Sequence, residues 1–338
     1  MVASGNQGGI VDWGVLSTAR IADKVIDGIN TSRNGRLAAV ASRDAAKARA
    51  FAAKHGAPKA YGSYEELLAD PAITVVYNPL PNNLHAEWTM KAAAAGKHVL
   101  CEKPLASDAA EAAEVVAYCR ERGVLLMEAF MYRFHPLVAE VRRRIAEGAI
   151  GDVHTVRGAF SFELHNTADI RLQPDMAGGA LMDVGCYPVN LARLIFGAEP
   201  ERVFAIGHFR EDSGVDMTLT GLLQFSGDRT GVVECSFDEP YRCEYEITGS
   251  KGRIRVADGF VRTPVETGLD IIRGDHVERV TIAPAHVYRL QAEYFADCVL
   301  HGRPISHPGE DGLANMRVLA ALLRSADEER AVPVDRDC

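Results

Sequence analysis

The 338-residue chain is poor in the features that mark several large protein classes. It has 2 tryptophans and 7 cysteines, and Cys101, Cys119, Cys186, Cys235, Cys243, Cys298 and Cys338 include no C-x-x-C pair. An odd set without paired spacing is neither a disulfide framework nor a zinc ribbon, and it reads as the reduced thiols of a cytoplasmic protein. No H-x-H or H-E-x-x-H occurs, and His154, His165 and His208 are scattered, so no catalytic metal is expected. No apolar run approaches the roughly 20 residues that span a bilayer. The opening MVASGNQGGI lacks a charged or apolar leader segment, so no secretory signal is expected, and the sequon Asn30-Thr31-Ser32 has no use in such a chain. Excess positive charge is missing too. With 37 basic and 46 acidic residues the net charge is −9, which gives no general attraction to nucleic acid or to an anionic membrane.

What remains is ordinary globular composition, 47% apolar and 25% charged, with length for two domains at roughly 150 residues each. Through about residue 130, short apolar runs alternate with helix-patterned segments. Strands are expected at 11–16, 37–42, 74–77, 97–101 and 124–127, with helices at 19–29, 44–55, 85–95 and 106–122. That alternation predicts a doubly wound parallel sheet, a Rossmann-type α/β domain. After a helix at 136–147 the texture changes to β-rich runs at 153–164, 202–209, 217–225, 231–237, 244–248 and 253–256, separated by turns such as Ser226-Gly227-Asp228. This predicts an α+β domain with a large, mostly antiparallel sheet. Helices near 287–300 and 312–326 complete it. The expected domains are 1–130, binding a dinucleotide, and 131–338, binding substrate and forming oligomers.

The first strand runs into Gly14-Val15-Leu16-Ser17-Thr18-Ala19-Arg20-Ile21-Ala22. Against the dinucleotide fingerprint G-x-G-x-x-G/A, the key positions are Ser17, Ala19 and Ala22. Small side chains there still let the backbone approach a pyrophosphate at a helix N-terminus, and Thr18 and Arg20 both suit phosphate. The residues from Ser17 to Ile21 are therefore cofactor candidates. The second strand ends at Ser42-Arg43, 20 residues beyond Ala22. A carboxylate is common here in NAD enzymes, whereas a Ser-Arg pair suits a 2′-phosphate, so NADP is favoured.

Further segments carry a family resemblance. Trp13-Gly14 to Ala22, Ala60-Tyr61-Gly62-Ser63-Tyr64-Glu65-Glu66-Leu67, Gly96-Lys97-His98-Val99-Leu100-Cys101-Glu102-Lys103-Pro104, Met127-Glu128-Ala129 and Gly178-Gly179-Ala180-Leu181-Met182-Asp183-Val184-Gly185-Cys186-Tyr187 follow one another in a recognisable order. Over nearly its whole length the chain resembles the glucose-fructose oxidoreductase, inositol dehydrogenase and rhizopine-catabolism (Gfo/Idh/MocA) oxidoreductases. Its texture is similar to the branch with dimeric dihydrodiol dehydrogenase and NADP-dependent D-xylose dehydrogenase, and also to nucleotide-sugar 3-ketoreductases. The resemblance implies that Lys103 and Tyr187 are catalytic, with Asp183 positioning Tyr187 or the nicotinamide. Many members have histidine where this chain has Tyr187. A nearby ammonium would lower the phenol's pKa toward a proton shuttle, while Asp183 could also be a helix N-cap. Leu80, His85, Glu102, Glu128 and Arg171 follow as cofactor contacts by the same resemblance, and Lys103-Pro104 is a place for a cis bond. Tyr241, Tyr245 and Tyr288 are open between lining a sugar pocket and plain packing.

The reading implied is a cytoplasmic NADP-dependent oxidoreductase of a sugar or polyhydroxylated ring, most concretely an aldose 1-dehydrogenase of the D-xylose type. The alternatives are an NADPH-dependent keto-sugar reductase, with the substrate free or nucleotide-linked, and a non-catalytic NADP-binding sensor. A homodimer or homotetramer, built through the second-domain sheet, is also implied.

Overall fold

A computed structural model describes residues 9–260 and 265–335. Most of the polar N-terminal stretch and Cys338 lie outside them. The first domain opens with β1 (Val11–Leu16), whose Trp13, Val15 and Leu16 are all buried, as a central strand covered on both faces requires. It continues through α1 (Arg20–Asn30), β2 (Gly35–Ala41), α2 (Ala45–His55), β3 (Lys59–Tyr61), α3 (Tyr64–Ala69), β4 (Val75–Asn78), α4 (His85–Ala94), β5 (His98–Cys101), α5 (Ala109–Glu121) and β6 (Leu126–Glu128). The six strands are parallel in the order β3-β2-β1-β4-β5-β6. The order reverses between β1 and β4, and in open α/β sheets that switch point places the ligand crevice at the strands' carboxyl ends.

The second domain follows α6 (Pro136–Ala146) with β7 (Val153–Ser161), α7 (Cys186–Phe196), β8 (Arg202–Phe209), β9 (Asp216–Phe225), β10 (Arg229–Ser236), β11 (Arg242–Gly249), β12 (Gly252–Val256), β13 (Thr267–Arg273), β14 (His276–Ile282), α8 (Val287–His301), α9 (Gly309–Glu328) and β15 (Val332–Pro333). Among the described residues its sheet runs β14-β13-β12-β11-β7-β10-β9-β8-β15, antiparallel except for the β7–β10 pair. The expected Rossmann domain and mostly antiparallel second sheet are both present. Helix α7 covers β7 and α9 covers β8 on one face. Ile206 and Leu222 lie exposed on β8 and β9.

The two C-terminal helices return to the first domain, α8 against α1 and α9 against α5. Both domains therefore share one packed wall behind the crevice. The described cysteines are buried and form no disulfide with one another. Among the described residues no three His, Cys, Asp or Glu side chains gather as metal ligands, and no helix is long and apolar enough to cross a membrane.

Candidate active site

The crevice at the ends of β1, β4 and β5 opens into a cavity of about 670 Å³. Its outer wall is the loop after β1. Ser17, at the first fingerprint position, adopts the left-handed backbone (φ 71°) that glycine usually supplies. Its hydroxyl accepts from the Ala19 amide at 3.2 Å, and its own amide is held by Ala41 O at 2.8 Å, which sets the loop beside the end of β2. Helix α1 then starts at Arg20, its N-cap position taken by Ala19 with no side-chain cap. Its first amides are thus open to an anion, with Arg20 and Lys24 beside them on the cavity wall. This cradle fits a dinucleotide pyrophosphate. Lys24 was missed in the sequence, although its i+4 spacing from Arg20 puts both cations on one helix face.

Of the expected residues, Ser17, Ala19, Arg20, Ile21, Leu80, His85, Glu102, Lys103, Arg171, Asp183 and Tyr187 line this one cavity. Thr18 shares the loop but not the cavity wall. Ser42 and Arg43 lie outside it, just past the end of β2. There Asp44 is turned away as the cap of α2, accepting from the amides of Ala46 and Lys47. That carboxylate is committed, and Arg43 is the charge left at the strand end.

His85 also lines the cavity although its side chain is buried, its Nδ1 2.7 Å from Pro104 O and its Nε2 2.7 Å from Leu80 O. It ties the Leu80 loop to the cis Lys103–Pro104 turn, and burial pushes its pKa down to about 4. Glu128 is 2% exposed and does not reach the cavity. Its carboxyl lies under β6 near Asp311 and Gly312.

The deep end is built on charge. Lys103, at the carboxyl end of β5, donates to Asp183 Oδ1 at 2.8 Å and to Asp183 O at 2.7 Å. Asp183 Oδ2 accepts from Arg171 Nε at 2.7 Å, and Arg171 also meets Asp169. Burial opposes the charge on Asp183, but the two cations outweigh it and hold the carboxyl below its usual range. Burial likewise opposes the Lys103 charge, and Asp183 with Cys186 and Glu102 more than restores it, so the ammonium is held above its usual value. Two of its three N–H groups are engaged; the third is available to a ligand oxygen. Asp183 is therefore not a helix cap. It lies inside a π-helical turn, Leu181–Gly185, makes no capping bond and bridges two cations.

Tyr187, in the first turn of α7, faces the same space. Lys103 Nζ lies 5.5 Å from the centre of its ring, over the face and not at the hydroxyl. The expected lowering of the phenol is thereby overturned: burial first, then Cys186 and Glu102, raise it well above its ordinary value. Its hydroxyl meets only the weak acceptor Met131 Sδ, at 3.8 Å, and so remains free to turn to a substrate oxygen. Phe160, Phe162, Met131, Met176, Ile170 and Tyr288 supply the apolar wall. Of the three tyrosines left open, Tyr288 lines the cavity, Tyr245 is core, and Tyr241 is half exposed with its ring edge-on to Phe160. Phe160 and Phe162 carried no signal that separated them from sheet packing. A strap containing Ile170–Leu172 and Pro174–Met176 closes over the cavity, with Asn82 Nδ2 donating to Ala177 O at 2.9 Å across the crevice.

A Rossmann crevice whose phosphate cradle leads to a buried lysine, aspartate and tyrosine defines a dinucleotide-dependent oxidoreductase. Comparison with known proteins agrees. Residues 11–130 match the oxidoreductase family with an NAD-binding Rossmann fold, and residues 138–255 match the GFO/IDH/MocA C-terminal domain. The chain belongs to the GFO/IDH/MocA oxidoreductase family. It is 44% identical over 326 residues to D-xylose 1-dehydrogenase (NADP(+)) 2 of Haloferax volcanii, covering 96% of this chain and 99% of that one. Among solved structures it is similar to a 3-ketoreductase from Actinomadura kijaniata in complex with NADP and TDP-benzene. That likeness has a TM-score of 0.89 at 33% identity, over 94% of this chain and 98% of the other. It is equally similar in shape to aldose-aldose oxidoreductase from Caulobacter crescentus complexed with glycerol. There the TM-score is 0.89 at 28% identity, over 96% and 99% of the two chains.

Proposed function

We propose that the protein is an NADP-dependent dehydrogenase of neutral sugars, oxidising C1 of an aldose such as D-xylose to the lactone. The observation that carries this reading is the charge balance of the deep cavity. Its two cations, Lys103 and Arg171, are both committed to Asp183, and Arg171 also to Asp169. An uncharged polyol gains the third Lys103 N–H and the Tyr187 hydroxyl, while its C–H faces meet Phe160 and Phe162. A substrate diphosphate would find no uncommitted cation there. The similarity to the Haloferax enzyme supports the same choice.

NADP, bound along Ser17–Ile21 with Lys24 and with Arg43 at its 2′-phosphate, would supply the hydride acceptor. Leu80, Glu102 and Arg171 line the inner end of that path. Glu102 is itself steadied by the Tyr77 hydroxyl at 2.7 Å. Lys103 holds the reacting oxygen and stabilises negative charge developing on it. Tyr187 carries the hydroxyl proton away, and Asp183 fixes Lys103. A second reading, keto-sugar reduction, is favoured by one fact: Lys103 and Tyr187 both hold their protons firmly, which suits a site that donates to a nascent alkoxide. The sensor reading would leave this buried Lys–Asp–Tyr arrangement without a task.

The exposed Ile206 and Leu222 support a homo-oligomer formed through the open sheet face, and the buried thiols without disulfides among the described residues support a cytoplasmic setting. The test is a panel of free aldoses, D-xylose and D-glucose included, with NADP and with NAD, following NADPH absorbance. Turnover that Lys103→Met and Tyr187→Phe each reduce by about 10²–10⁴-fold, with NADPH still bound, is the expected result. Unchanged turnover in both variants would remove the site assignment, and activity only with activated keto-sugars would select the second reading.

A further inference from the structure

We propose that Asp216, at the start of β9 and outside the cavity, is the positioning residue that sets Asp183 and Lys103 in register. The inference rests on the catalytic reading of Lys103 given above. Asp216 is 3% exposed, and its Oδ2 accepts from the Leu181 amide at 2.7 Å. Leu181 opens the π-helical turn, and two residues further on both the carboxylate and the backbone carbonyl of Asp183 receive Lys103. The backbone of this turn is thus itself part of the site, and Asp216 is the side chain that anchors it.

The same carboxylate explains one of the two glycines ahead of the turn. Gly179 has φ 124°, and a Cβ there would overlap Asp216 Oδ1. At Gly178 a Cβ would overlap the carbonyl of Arg171. The Gly179 amide in turn donates to that carbonyl at 2.8 Å, while Asp183 N donates to Gly179 O at 3.0 Å. The contacts close into a ring. Arg171 reaches Asp183 through its side chain and Gly179 through its backbone, Gly179 packs on Asp216, and Asp216 holds Leu181 at the head of the turn. Strap, turn and Lys103 are therefore located by one buried carboxylate contributed by the sheet. The turn also contacts β9 and β10, so its seat is the rigid part of the second domain.

The phosphate cradle lies on the other domain, which gives the proposal its signature. Asp216→Asn keeps the side-chain shape but places an NH2 where one oxygen faced backbone donors, so the turn shifts while Ser17, Arg20 and Lys24 do not. A displacement of about 1 Å at a reacting group costs on the order of 10²-fold in rate. The expected result is a kcat lowered by about tenfold or more, with the NADPH dissociation constant, read by fluorescence, within about twofold of the parent. Wild-type kcat in Asp216→Asn, or a loss of NADPH affinity equal to the loss of kcat in a folded variant, overturns the proposal. Should the Asn variant not fold, Asp216→Ser, whose shorter side chain withdraws the acceptor from the Leu181 amide, must show the same split or the proposal falls. Lys103→Met measured alongside separates the two claims. If it too retains full turnover, the catalytic reading has failed; if it is inactive while the Asp216 variants are normal, only this inference has.

Discussion

Replacing Glu128 by glutamine should make the protein more stable at alkaline pH and leave it nearly unchanged in acid. Glu128 is 2% exposed, and neither carboxyl oxygen has a hydrogen-bond partner of good geometry. Burial, with Asp311 adding to it, pushes its pKa from 4.5 to about 8, against the smaller pull of Arg193, the Leu105 amide and Arg133. The folded state therefore holds a proton that the unfolded chain releases near pH 4.5. The stability this contributes is fully present below pH 4.5 and is lost as pH rises through 8. At roughly 1.4 kcal/mol for each pH unit of difference, the loss is on the order of a few kcal/mol. The substituted amide has the same shape and no charge, so Glu128→Gln escapes the alkaline penalty. Thermal or urea melts of both proteins from pH 5 to 9 would measure this. The curves should coincide near pH 5 and separate by several degrees near pH 9, the variant being higher. Parallel curves across the range would refute the reasoning, because they would mean that the carboxyl is paired or solvated. NADPH affinity should not change; a tenfold loss in Glu128→Gln would restore Glu128 to the cofactor site.

Two further outcomes follow from the site itself. Arg43→Ala should weaken NADP binding by about 10–100-fold, the worth of a charge-assisted hydrogen bond, and leave NAD binding as it was; equal loss for both nucleotides, measured by fluorescence titration, would deny Arg43 the 2′-phosphate. In the oxidative direction kcat should climb with pH through the alkaline range, because Lys103 and Tyr187 are both held above their ordinary values and must surrender a proton before accepting one. The reductive kcat should fall over the same range, and flat profiles in both directions would exclude these groups as the proton's route.

The parallel half of the fold was readable because its signals are local. Strand β1 was placed residue for residue, and α1, α2 and α4 to within one residue at each end, since apolar spacing marks them and Asp44 caps α2. Short β3 and α3, and the β13–β14 hairpin, escaped as separate elements. Strand β14 leaves Val277 exposed and buries no residue fully, so its sequence has no clean alternation to read. The site was legible as a set of residues but not as an arrangement. Lys103, Asp183 and Tyr187 meet across 80 and more positions, as their motifs implied. The capping role foreseen for Asp183 failed because a nearby cation competes better for a carboxylate than a backbone amide does. Glu128 sits in a motif beside cavity residues, and only three-dimensional burial separates it from its neighbours.

Asp183 shows why such an arrangement is hard to read in one dimension. Its two oxygens serve different elements, Oδ1 the lysine of the first domain and Oδ2 the arginine of the strap. A carboxylate shared in this way makes each contact depend on the other. With Arg171 withdrawn, Asp183 loses one of the two cations that outweigh its burial, and its hold on the Lys103 charge changes with it. The strap thereby acts on the Lys103 ammonium through Asp183. Asn82 grips Ala177 on the same strap from the Rossmann side, so the strap is tied to both domains through groups far apart in the chain. Coupling of this kind is a differential contact between two states, and it resides in pairs of residues far apart in the chain, where no local pattern records it.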